Sequence, residues 1–190
     1  MKETSSPLPC SVAFEINTGV MPEATAHYQK RLSDLRGLFL DPEALELRIE
    51  KEGDPVCYEN YAFSQSQAEG DIFFGTTIIY PGKVGSEYHL TRGHYHRKRN
   101  HAETYQALSG RGLVLFERED GTTSTAELAP GKVTYVAPFW AHRSINTSNV
   151  PLVFLWTCSV DAGHDYEALA GCGMRQVVVE RNGVPSVEGR

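Results

Sequence analysis

From Val56 to Ser159 the chain is a succession of short β-rich stretches separated by turn residues, and this pattern limits its architecture more than anything else in it. The stretches are Val56–Phe63, Ile72–Tyr80, Glu103–Leu108, Gly112–Glu117, Thr125–Leu128, Val133–Val136, His142–Asn146 and Pro151–Ser159. Pro81-Gly82, Ser109-Gly110, Asp120-Gly121 and Pro130-Gly131 stand between them as turns. Strands at this spacing predict an all-β sandwich or barrel. Near the end, Gln176–Glu180 and Val184–Val187 flank Arg181-Asn182-Gly183, which reads as a hairpin with Asn-Gly in the positive-φ positions.

Residues 1–55 read as a helical extension packed outside that sheet. From Met21 to Phe39 the apolar positions Tyr28, Leu32, Leu35 and Phe39 recur at helical spacing and predict a helix that Gly37 ends or disturbs. This places His27 on a helix surface. A second, better marked helix starts at Asp41 as N-cap, with Pro42 and Glu43 in the first turn and Gly53 after its end, and shows a narrow Leu45–Ile49 face. No internal repeat, low-complexity segment or linker interrupts the chain. The expectation is one domain over 1–190, with 56–190 forming the barrel and the C-terminal hairpin.

Composition excludes several classes. Hydrophobic residues at 41% and charged residues at 22% are ordinary for a soluble globular protein. A formal charge of 18 − 24 = −6 argues against broad nucleic-acid binding. No apolar run approaches the roughly 18 residues of a membrane span. The start, Met1 to Pro7, lacks the apolar core of a secretory signal, so the expected location is the cytoplasm. Cys10, Cys57, Cys158 and Cys172 form no C-x-x-C pair and read as reduced thiols.

One group of residues carries chemistry. His94 and His96 form an H-x-H pair, Glu103 follows after a short gap, and His142 opens a separate H-x-x-x-N stretch ending at Asn146. Alternate side chains of a strand point to one face, so an extended His94–His96 segment aims two imidazoles at one point. Three imidazoles and a carboxylate suit a divalent metal with positions left open for substrate, whereas a purely structural zinc site is closed and often built on cysteine. The donors are compatible with iron(II), manganese, nickel or zinc, with iron(II) the first expectation, one ion per subunit. His89 and His101 flank the cluster without its spacing.

The segments around these ligands are more specific than the ligands themselves. His94-x-His96, Glu103, Gly110 and Pro138…His142-x-x-x-Asn146 resemble the two motifs of the cupin superfamily. Tyr80-Pro81-Gly82-Lys83-Val84-Gly85, Thr91-Arg92-Gly93-His94-Tyr95-His96, Ala102-Glu103-Thr104-Tyr105, Trp140-Ala141-His142-Arg143-Ser144-Ile145-Asn146 and Asp161-Ala162-Gly163-His164-Asp165-Tyr166 resemble the cupin-type, archaeal-type phosphoglucose isomerases. Arg31-Leu32-Ser33-Asp34 and Glu52-Gly53-Asp54-Pro55-Val56 extend the resemblance over most of the chain. It implies a double-stranded β-helix, or jelly-roll barrel, with short N-terminal helices. It also implies a homodimeric enzyme of glycolysis and gluconeogenesis that interconverts glucose 6-phosphate and fructose 6-phosphate.

By this resemblance His94, His96, Glu103 and His142 bind the metal, while Thr77, Thr91, Gly93, Tyr105, His164 and Tyr166 line the sugar-phosphate site. Members of that family carry a tyrosine near the position of Cys158, so a sugar contact from that strand position is not carried over. An aldose–ketose isomerase moves one hydrogen between C1 and C2. Glu103 is the candidate base for proton transfer through an enediol, a metal-assisted hydride shift is the competing route, and Tyr105 and His164 are the further catalytic candidates. Arg92 is a candidate phosphate aid, ahead of Arg97, Lys98 and Arg99. An iron-dependent cupin dioxygenase and a non-catalytic sugar-binding cupin are the alternatives on the same ligand set.

Overall fold

The computed structural model describes residues 8–170 and 173–190. The start at 1–7 and Cys172, both read above, lie outside the described residues. Chain order gives β1 Ala26–Arg31, the helix α1 Pro42–Glu52, β2 Val56–Phe63, β3 Ile72–Ile79, β4 Lys83–Val84, β5 Glu87–Tyr88 and β6 Tyr95–His96. There follow β7 Glu103–Ser109, β8 Gly112–Glu117, β9 Thr123–Leu128, β10 Val133–Val136 and β11 Ala141–Asn146. The last are β12 Leu152–Ser159, β13 His164–Asp165, β14 Gln176–Arg181 and β15 Val184–Gly189.

The β-rich reading holds, with strand limits displaced by a residue or two. The principal sheet runs β1-β2-β3-β12-β7-β10, and a second runs β11-β8-β9. Smaller sheets are β15-β14-β5-β4 and β13-β6. Non-consecutive neighbours such as β3 beside β12 and β12 beside β7 are the crossovers of a jelly roll, and all pairings are antiparallel. The sandwich buries Leu32, Ile79, Val114, Leu128 and Leu152 completely. β7 shows how sequence sets the faces: Glu103, Tyr105 and Ala107 are buried while Thr104 and Gln106 are exposed. At the C-terminal hairpin Asn182 (φ 52°) and Gly183 (φ 79°) take the left-handed turn that Asn-Gly permits.

The N-terminal extension differs from expectation in one respect. The helix expected from Met21 to Phe39 does not form. Ala26–Arg31 is instead the edge strand of the principal sheet, paired with β2 so that Tyr28 stands opposite Asn60. A single 3-10 turn, Leu32–Leu35, follows. Its i, i+3 residues Leu32 and Leu35 are both buried, so the periodicity was real but belonged to a turn rather than a long helix. Polar bonds stop propagation: Arg31 N–H donates to Asp34, and Ser33 bonds Asp54 through both its N–H and its hydroxyl. His27 accordingly lies on a strand, stacked on Tyr61 at 4.1 Å and 2.8 Å from the Glu59 carboxylate. The second helix forms as expected, with the Asp41 carboxylate accepting from Ala44 N–H and Gly53 closing it.

Candidate active site

The register of the principal sheet arranges its inner face in rows. Glu103 on β7 stands opposite Cys158 on β12, which stands opposite Phe73 on β3. Two residues along, Tyr105, Trp156 and Gly75 form a second row. A third contains Ala107, Phe154, Thr77, Asn60 and Tyr28. These rows form one wall of a pocket. The segment before β6 and the strand β11 form the opposing wall, contributing Thr91, Gly93, His94, His142 and Ser144. His164 and Tyr166 close its mouth.

The four expected metal ligands converge. One donor atom from each of His94, His96, Glu103 and His142 lies within 4.8 Å of the other three. His96, Glu103 and His142 lie on β6, β7 and β11; His94 is placed by a bridge to His142 in which each N–H donates to the other's carbonyl, at 3.2 and 3.0 Å. The Nε2 atoms of His96 and His142 both lie 3.2 Å from Glu103 Oε2. His96 Nδ1 reaches the His101 carbonyl at 3.0 Å and His142 Nδ1 the Trp140 carbonyl at 3.5 Å. A carbonyl at Nδ1 fixes the proton there and presents the Nε2 lone pair, the usual outer support of a metal-bound imidazole. The Nε2 atoms of His94 and His142 are buried without a hydrogen-bond partner, as befits groups whose partner is an ion.

The charges fit a cation as well. Burial lowers the His94 pKa well below its ordinary value, and the neighbouring imidazoles add to the effect. Burial opposes the charge on Glu103, but the close contacts with His142 and His96 outweigh it and bring the carboxyl down to about 2. Burial also holds the Tyr105 phenol far above the usual tyrosine range, so it stays protonated and donates to Glu103 Oε2 at 3.4 Å. His96 runs the other way: burial opposes its charge, but its contacts with Cys158 and Glu103 outweigh burial and raise it to about 10, so a bound ion would take the place of that proton. Three imidazoles around one ionised carboxylate are a donor set for a hard-to-borderline divalent ion.

The other expected site residues line the same pocket: Thr77, Thr91, Gly93, Tyr105, His164 and Tyr166. Thr77 Oγ1 accepts from Asn60 at 2.8 Å, and Thr91 Oγ1 accepts from Ser144 N–H at 3.1 Å. With a lone pair of each already used, each hydroxyl proton is free to donate to an incoming oxygen. The His164 ring lies 4.4 Å from that of His94 and stacks on Tyr166 at 5.7 Å. Arg92 lines the pocket and lies over the Tyr166 ring at 5.0 Å.

Lys98 pairs with Asp161, and Arg99 pairs with Asp165 and Glu119, so these cations fasten the loop after β6 to the segment around β13. His89 points away from the cluster, held between the Tyr80 carbonyl and Arg48. Cys158 is buried with its Sγ 3.7 Å from His96 Nε2, and Cys10, Cys57 and Cys158 are free thiols. Sequence reasoning missed Tyr28, Tyr58, Asn60, Phe73, Phe154 and Trp156 as pocket residues. Alternation on β2, β3 and β12 would have put them on the inner face had those strands been ordered in space.

The family described as glucose-6-phosphate isomerase (GPI) matches residues 29–188. The chain belongs to this family. The glucose-6-phosphate isomerase of Pyrococcus abyssi is 47% identical over 175 residues, covering 92% of both chains. That of Sinorhizobium medicae is 39% identical over 183 residues, covering 96% of this chain and 85% of its own. Among solved structures, oxalate decarboxylase from Bacillus subtilis overlays on 57% of this chain and 26% of its own with a TM-score of 0.44 and 23% identity. By its family and these relatives the chain is an isomerase, and it carries a candidate metal site.

Proposed function

We propose that this protein interconverts glucose 6-phosphate and fructose 6-phosphate with a divalent cation held by His94, His96, Glu103 and His142. The observation that carries the reading is one pocket with two chemically distinct ends. At one end stand the four convergent donors; four residues along the strands stands Thr77, with Thr91 on the opposing wall, each with a hydroxyl proton left to donate. Such a pocket suits a chain with sugar oxygens at one end and a phosphate at the other. Iron(II) is the first candidate ion, and manganese, nickel and zinc suit the same donors.

When bound, the cation supplies Lewis acidity toward the sugar oxygens. The chain's own residues do the rest. The contacts of Glu103 with His96, His142 and Tyr105 all fall on Oε2, leaving Oε1 without a hydrogen bond among the described residues. Glu103 Oε1 is the atom that takes the C2 proton of the aldose and returns it to C1 of the ketose. Tyr105 donates to Glu103 and fixes its orientation. His164, at the mouth beside His94, moves the proton between the sugar oxygens, while Tyr166 and Arg92 shield that end from water. A carboxylate as strongly stabilised as Glu103 is a weak base, which keeps a hydride shift as the competing route.

We also infer a homodimer in the cytoplasm. The support for the dimer is the edge strand β10, whose outward Val133 and Tyr135 are 67% and 62% exposed. Light scattering in solution checks it. The activity test supplies fructose 6-phosphate and detects glucose 6-phosphate before chelation, after it, and after reloading with each candidate ion. Absence of conversion with metal confirmed in the protein overturns the functional reading. Isomerisation in deuterated water then separates the two routes, since product without label excludes proton transfer through Glu103.

A further inference from the structure

Trp156 sits in the middle row of the inner face, between the row that carries Glu103 and the row that carries Thr77. A strand rises about 3.3 Å per residue, so these outer rows stand about 13 Å apart with Trp156 about halfway. A six-carbon sugar phosphate held by its C1–C2 end at Glu103 and its phosphate at Thr77 therefore passes its central carbons across the indole. This geometry rests on the function proposed above.

Two observations single out Trp156 among the pocket residues. Its Nε1 is buried and has no hydrogen-bond partner, although an indole N–H is a donor only and orphaned donors are rare in protein interiors. Its ring also occupies a slot that the sequence keeps open. A Cβ at the opposing Gly75 would lie 1.9 Å from the Tyr61 carbonyl oxygen, 2.5 Å from Trp156 Cζ2 and 2.9 Å from Cε2, so the neighbouring backbone and the ring both require glycine there. The edge-on contact with Phe73, at 4.9 Å between centroids, holds the ring from the metal side.

We infer that Trp156 is a specificity-determining residue that contacts the substrate, its indole N–H donating to a hydroxyl oxygen on the central carbons of the sugar. The ring supplies an apolar face for the carbon chain and the N–H supplies the directional bond. Substrates lacking a hydroxyl oxygen at that point leave the donor unpaired and are selected against.

Two measurements test this. Trp156→Phe keeps an aromatic ring and removes the N–H; its KM for fructose 6-phosphate rises about 10-fold while kcat stays within about 3-fold, the signature of lost binding rather than lost chemistry. Independently, Trp140→Phe leaves Trp156 as the sole indole, since the chain has two tryptophans. Its emission then shifts saturably with added fructose 6-phosphate in metal-depleted protein and does not respond to inorganic phosphate alone. An unchanged KM in Trp156→Phe assigns the N–H to the Phe73 ring face and overturns the inference, as does a flat emission titration. A protein that isomerises nothing yet shows the emission shift refutes the proposed reaction and leaves the Trp156 contact standing. Should Trp156→Phe fail to fold, the emission titration alone decides.

Discussion

His94 and His142 are joined through the backbone as well as through their side chains: each donates its N–H to the other's carbonyl, and their rings stand 4.4 Å apart. Directly paired residues of antiparallel strands project from the same face, so the pairing itself aims both imidazoles into the pocket. The convergence of the cluster therefore does not depend on an ion. Chelation is expected to abolish turnover and to lower the melting temperature, because an ion that binds only the native state stabilises it. It is not expected to unfold the sheet. Far-ultraviolet circular dichroism and metal analysis before and after chelation check this; loss of the β signal on chelation contradicts it.

Glu103 combines two roles that substitution separates. In Glu103→Gln the amide oxygen retains a weak donor for the cation, while the group can no longer accept a carbon-bound proton. The expected result is partial metal content with turnover reduced by about 10²–10⁴-fold. Metal content and turnover are measured on the same preparation. Turnover near that of the parent with metal bound removes Glu103 from proton transfer and favours the hydride route.

Much of this centre was legible in the sequence, and what was not legible has a physical reason. H-x-H and the later histidine could be read because period-two alternation is local. Asp41, Pro42 and Gly53 could be read because helix caps act within a turn. The stretch from Tyr28 to Phe39 was misread because strand, 3-10 turn and loop can bury residues at intervals that mimic a helix. What decides between them is the pairing of Tyr28 with Asn60, thirty-odd residues away. The same non-locality hid the pocket role of Trp156, since its neighbours Gly75 and Tyr105 come from two other strands. The loop-fastening role of Lys98 and Arg99 was hidden because their partners, Asp161 and Asp165, lie far along the chain.

Gly93 is constrained by both conformation and space. Its φ is +75°, and an added Cβ would lie 3.1 Å from Arg143 Cβ, from Arg143 Nε and from the His142 carbonyl oxygen. Arg143 is itself fully buried, with its Nη2 donating to the Arg92 carbonyl at 2.8 Å, so it cannot easily give way. Gly93→Ala is expected to cost about 1–3 kcal/mol of stability through the left-handed backbone and the crowding. It is also expected to raise KM, because the segment carrying Thr91 and His94 must shift. Denaturant midpoints and steady-state kinetics check the two effects; a neutral substitution contradicts both.

His89 predicts an acid sensitivity separate from the metal centre. Its ring is 2% exposed, with Nδ1 donating to the Tyr80 carbonyl at 3.0 Å and Nε2 accepting from Arg48 at 2.9 Å. Burial, and then the Arg48 charge, lower its pKa from 6.5 to about 4. The folded protein therefore keeps His89 neutral at pH values where the unfolded chain has already taken up a proton. Its contribution to stability is complete above pH 6.5 and is lost as the pH falls through 4, amounting to about 2–3 kcal/mol by pH 4.5. Other groups titrate in the same window, so the reading is a difference between proteins. His89→Asn cannot take up a proton, and its stability is expected to fall less than that of the parent between pH 7.5 and 4.5 by about that amount. Because Arg48 lies on α1 and Tyr80 directly follows β3, the parent's acid loss should begin with release of the helix from the sheet. Amide exchange at pH 4.5 that is fastest in α1 agrees with this, and parallel pH profiles for parent and variant contradict it.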